Sequence, residues 1–140
     1  MWLVGPACAA QLDKRSPEYQ QLLSMGYDLA PHPEVNATVA RLGDVMVVLD
    51  FDSATQKLEA TRYFKLRSEF KAPEIELYKL INEFNRTSTF KWFVYNGFLF
   101  VYTTHIGPYN PKALSLLMSG MDKLDGKLIL YINEISKFAE

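Results

Sequence analysis

"FKWFVYNGFLFVYTT" occupies residues 90–104, and seven of the thirteen residues from Phe90 to Tyr102 are aromatic. Asn96-Gly97 sits at its centre between two apolar runs. That is the strongest short-range signal for a β-hairpin, because both residues tolerate the positive φ of a type I′ turn. A two-residue loop sets Tyr95 opposite Phe98, Phe93 opposite Phe100 and Lys91 opposite Tyr102. The other face then carries Phe90, Trp92, Val94, Leu99, Val101 and Thr103. Both faces are apolar, whereas an antiparallel sheet commonly packs one face on a core and leaves the other to water. The hairpin therefore needs two covers.

The rest of the chain limits what those covers are. A length of 140 residues suits one domain, large enough to bury roughly 68% of its unfolded surface without disulfide or metal. Hydrophobic residues make up 49% and charged residues 22%, as in a globular protein. Fifteen basic against sixteen acidic side chains exert no global pull on nucleic acid or an anionic membrane. The single Cys8 rules out an internal disulfide and suits a reducing cytoplasm. The opening "MWLVGPACAA" has no Lys or Arg, and Gly5-Pro6 interrupts its apolar run, so it is not expected to act as a secretory signal. No stretch approaches the ~20 apolar residues of a membrane span. These features predict a cytoplasmic protein with no nucleic-acid or membrane partner.

Working outward from the hairpin, Ser16-Pro17-Glu18 reads as an N-cap, a first-turn proline and a dipole-matched acid. The helix it opens carries Tyr19, Leu22 and Leu23 on one side and stops at Gly26. Residues 1–15 form an extra turn or a loose arm ahead of a domain at 16–140. Three strands are expected at about 34–41, 45–51 and 57–66, with turns at Gly43-Asp44 and Asp52–Gln56. Pro73 starts a second helix, in which Leu77, Leu80, Ile81 and Phe84 keep helical spacing. After the hairpin, Asn110-Pro111 begins a third. Leu114, Leu117, Met121, Leu124, Leu128, Tyr131, Ile135 and Phe138 hold one phase through Gly120 and Gly126, which predicts one helix over about 111–138. The order is α-βββ-α-ββ-α, an α+β domain with a five-stranded antiparallel sheet.

With "LLSMGYDL" ending the first helix, "LYKLINEFNR" in the second and "FVYNGFLFVY" following, the chain resembles the type III secretion chaperone-like fold, in its YbjN-like branch. Asn82 and Asn85 stand in that family's N-x-x-N pattern. The resemblance implies a curved five-stranded sheet packed by helices, usually dimeric, with no enzymatic step and no cofactor. It also implies an answer for the hairpin. The helices would cover the Trp92/Leu99 face, and Phe93, Tyr95, Phe98, Phe100 and Tyr102 would meet a second copy or a protein client. The first helix, through Tyr19, Leu22 and Leu23, would add a client groove. On this reading Leu99→Asp unfolds the protein, while Phe100→Asp spares the fold and breaks only the contact.

Catalytic alternatives are thin. "VVLDFDSAT" resembles the first motif of haloacid-dehalogenase-type phosphatases, with Asp50 as phosphoryl acceptor, Asp52 as general acid and Mg²⁺ between them. Ala54 stands where that family has threonine, and a strand rather than a helix follows. A turn capping the second strand accounts for the same residues. His32 and His105 are too few and too separate to make a metal set, and each reads as a turn or surface residue. Lys57, Arg62, Lys65, Arg67 and Lys71 alternate with Glu59 and Glu69, with Tyr63 and Phe64 interleaved. That pattern is a solvated strand edge more readily than a single-strand nucleic-acid platform.

Overall fold

A computed structural model of the chain describes residues 9–65, 79, 81–83, 85–86, 90–96 and 98–123. The elements in chain order are β1 (Ala9–Ala10), α1 (Pro17–Ser24), β2 (Asp28–Pro31), β3 (Thr38–Leu42), β4 (Val45–Asp52) and β5 (Lys57–Lys65). They are followed by α2 (the helical residues 79, 81–83 and 85–86), β6 (Lys91–Tyr95), β7 (Phe98–Ile106) and α3 (Pro111–Asp122). The sheet runs β2-β3-β4-β5-β7-β6, with β1 paired to the far end of β4. Every pairing is antiparallel.

The α+β class and the antiparallel sheet hold, but the described order is β-α-ββββ-α-ββ-α instead of α-βββ-α-ββ-α, and the sheet is larger than five strands. β2 was missed because "DLAP" is poor in strand formers; a strand at the sheet's end can accept Pro31, where a central one would lose a ladder hydrogen bond. The first of the three expected strands begins only at Thr38, since residues 33–37 are bends. Part of the N-terminal arm is also tied down. Ala9 and Ala10 pair with Asp52 and Phe51, and the Leu12 N–H donates to Thr38 Oγ1 at 2.9 Å. Residues 1–8, with Cys8, lie outside the described residues.

Local chemistry sets the helix ends. Ser16 Oγ accepts from the Tyr19 N–H at 3.2 Å at the start of α1. At its end Tyr27 N–H reaches Leu22 C=O (3.1 Å) and Gly26 N–H reaches Leu23 C=O (3.0 Å). This is the Schellman pairing, and it requires the φ of +95° that Gly26 adopts. Asn110 repeats the N-cap for α3, its Oδ1 accepting from Ala113 N–H at 3.0 Å. Gly120 lets α3 pack closely on the Phe90 ring: a Cβ there would stand 3.0 Å from Phe90 Cζ.

A single helix over 111–138 does not form. α3 ends at Asp122 with Lys123 as C-cap. Two side chains, one from β5 and one from the α1–β2 connection, hold that end. Arg62 Nη1 donates to the Met121 carbonyl at 3.1 Å, satisfying one of the acceptors a helix terminus leaves open. Tyr27 Oη donates to Asp122 Oδ2 at 2.6 Å. Burial and the Asp122 carboxylate push the Tyr27 hydroxyl well above its ordinary pKa. The expected helix from Asp125-Gly126 onward lies outside the described residues, as does the Pro73 start of α2 with Leu77, Leu80 and Phe84.

The core lies between the described helices and one face of the sheet. Leu22 of α1, Ile81 of α2, and Leu114, Met118 and Met121 of α3 pack on Ala40, Val47, Leu49, Leu58, Ala60, Trp92, Leu99 and Val101. The Trp92/Leu99 face of the hairpin is therefore the helix-covered one. Arg62, which interrupts the apolar side of β5, sits on this same buried face beneath the end of α3.

Candidate functional site

The opposite face of the hairpin is an interlocked set of rings. Register places Tyr63 beside Phe100 and Phe100 beside Phe93, with Phe98 and Tyr102 two residues away along β7. Phe93 and Phe100 stack with centroids 4.8 Å apart and planes 10° from parallel. Tyr63 meets Phe98 edge-on at 5.7 Å, and Phe93 meets Tyr102 edge-on at 5.7 Å. Such offset and T-shaped pairs add about 0.5–1.5 kcal/mol beyond area burial. Tyr63 was the member sequence reasoning missed, because it lies among charged neighbours. Its signal was the alternation of β5, which sets it on the face away from Arg62.

The five expected surface residues are not equally available. Tyr95 is 46% exposed, whereas Phe100 is only 2% exposed within the single chain. Phe93, Phe98 and Tyr102 are half-buried. Phe100→Asp therefore cannot be a silent surface change, because Phe93, Tyr63 and Phe98 already enclose the ring. On the same face Val39, Val48 and Thr61 are buried too. Among the rings of the hairpin, solvent reaches Tyr95 most, beside the turn, where Asn96 takes a φ of +54°.

The two asparagines behave differently. Asn82 is exposed. Asn85 forms a two-point clamp on the backbone of Trp92, its Oδ1 accepting from Trp92 N–H at 2.7 Å and its Nδ2 donating to Trp92 C=O at 2.8 Å. The proposed client groove is also divided: Leu22 is fully buried in the core, Tyr19 packs partly against it, and Leu23 is 44% exposed. These three do not make one surface.

Asp50 and Asp52 share the sheet face away from the helices. Asp52 is buried, and its Oδ1 accepts from Ala54 N–H at 3.0 Å and more weakly from Thr55 N–H at 3.4 Å, capping the β4–β5 turn. Asp50 faces Glu59 directly across the strands, and Lys57 Nζ lies 3.9 Å from Glu59 Oε2. Burial raises the Asp50 pKa, with Lys57 opposing. Burial likewise raises that of Glu59, Lys57 opposing and Asp50 adding to it. Among the described residues no group of three or more His, Cys, Asp or Glu could hold a metal ion. His32 Nδ1 accepts from Glu34 N–H at 3.0 Å within the β2–β3 loop, and His105 Nε2 lies 3.3 Å from the Pro108 carbonyl.

This carboxylate pair has a pH consequence. Raised folded values favour the protonated forms, so the pair's contribution to stability is fully present below the ordinary carboxylate pKa and is lost as pH rises through the raised values. Asp50→Asn is expected to melt above wild type at about pH 7. The difference should close as pH falls toward about 4. Calorimetry across that range checks it; a variant less stable than wild type at neutral pH refutes the assignment.

No family model and no curated protein sequence matches the chain. Among solved structures, the crystal structure of YbjN, a candidate transcription regulator from E. coli, superposes on 86% of this chain and 91% of that one. The TM-score is 0.64 at 15% sequence identity. The chain has a YbjN-like fold. Within that YbjN-like sheet the helices cover the Trp92/Leu99 face and the ring ladder lies opposite. No described helix is long and apolar enough to cross a membrane.

Proposed function

We propose that this chain is a non-enzymatic, cytoplasmic protein-binding module that works as a homodimer and holds an extended segment of a protein partner. The carrying observation is the ring ladder on the sheet face away from the described helices, open at Tyr95. Tyr and Phe are the residues that anchor protein interfaces. A charge balance of fifteen basic to sixteen acidic side chains supports a protein partner over nucleic acid. Asp52, the general acid of the phosphatase reading, has its carboxylate engaged in a turn.

Sedimentation at micromolar concentration tests the dimer. Wild type is expected to sediment as a dimer, and Tyr95→Asp to weaken association by about ten- to a hundredfold, the worth of one buried aromatic. Its circular dichroism should match wild type, because Tyr95 supports no described ring contact. A wild type that stays monomeric removes the dimer from the proposal.

A further inference from the structure

We infer that the Asn85 side chain acts as a one-residue surrogate strand that closes the outer edge of β6. β6 ends the sheet and pairs on one side with β7. In an antiparallel pair, residues whose N–H and C=O point at the neighbouring strand alternate with residues whose groups point away. Trp92 points away, since its N–H donates to Asn85 Oδ1 and its C=O accepts from Asn85 Nδ2. A primary amide offers an acceptor and a donor side by side, as the peptide of an added strand would. The same alternation turns Val94 outward and Lys91, Phe93 and Tyr95 toward β7, and the turn at Asn96 ends the strand.

β6 thus has two outward-facing residues, and Asn85 occupies one of them. A single remaining position is too short for strand addition, which relies on a row of main-chain hydrogen bonds. A partner, here a second copy of the chain, then meets the hairpin through its rings and not through its edge. This last step rests on the proposed aromatic contact; the closed edge stands on the two hydrogen bonds alone.

Amide exchange by NMR on the full chain separates the two. In Asn85→Ala the Trp92 amide should exchange about tenfold faster or more, as expected for loss of one hydrogen bond at a strand edge. The Phe93 and Phe100 amides should be unchanged. Asn82→Ala, at an exposed position, should leave all three unchanged. Asn85→Ala should also gain concentration-dependent self-association that persists in the double variant with Tyr95→Asp, because edge pairing does not need the ring. Unchanged Trp92 exchange, or no new association, overturns the proposal. Should Asn85→Ala fail to fold, Asn85→Asp keeps the acceptor for Trp92 N–H and loses the donor. There a slow Trp92 amide is expected, and a fast one overturns the clamp. A monomeric wild type with fast Trp92 exchange in Asn85→Ala would sink the aromatic contact and leave the closed edge standing.

Discussion

Leu99→Asp is expected to unfold this protein. Leu99 is 2% exposed and lies in the core with Trp92, Val101, Met118 and Met121, among the side chains of β6, β7 and α3. An unpaired carboxylate there must either stay charged away from water or take up a proton. Either route costs several kcal/mol, a large part of the ~5–15 kcal/mol that separates a native domain from its unfolded state. Lost leucine packing adds to this by about 2–5 kcal/mol. Far-UV circular dichroism at neutral pH should show loss of the native spectrum. A folded Leu99→Asp would mean that the helices do not cover this face.

The second large effect falls on the other face. Phe100→Ala is expected to destabilise the chain by about 3–5 kcal/mol, the range for truncating a buried phenylalanine. The ring stacks on Phe93 and touches Tyr63 and Phe98, so its removal opens a void in the ladder rather than a notch in the surface. Urea unfolding should show a lower midpoint with little change in slope. Tyr95→Asp, on the same face and two register pairs nearer the turn, should leave the stability within about 0.5 kcal/mol of wild type. If Phe100→Ala proves as mild as Tyr95→Asp, the rings do not support one another and the face is an ordinary surface.

Where local chemistry decides, the fold was readable. Asn96-Gly97 placed the hairpin and its register, and Ser16-Pro17 and Asn110-Pro111 placed two helix starts that the caps explain. What escaped was decided at a distance. β2 forms because β3 offers it an edge, and nothing in "DLAP" announces that. α3 stops where Arg62 and Tyr27 reach its last turn from residues far away in sequence, although the apolar phase runs on through Leu124 and Leu128. At the candidate site, five of the surface residues could be named from alternation. Their unequal exposure could not, because Phe100 is enclosed by Tyr63 from a strand dozens of residues earlier. Asn85 could be marked as a motif residue, but its clamp on Trp92 needed the helix and strand in place.

The pairing of β5 with β7 also governs how the chain reaches its native state. Lys65 pairs with Phe98 and Lys57 with Ile106, so the longest strand contact in the sheet joins segments separated by α2 and β6. The β6–β7 hairpin closes locally, on the timescale of about 1–10 μs typical of such units. Its union with β5 must wait for a much longer loop to close, and non-local strand pairing of this kind slows folding. During that interval both apolar faces of the hairpin stand open to water. Slow union of β5 with β7 thus makes refolding sensitive to concentration, and dilution should raise its yield.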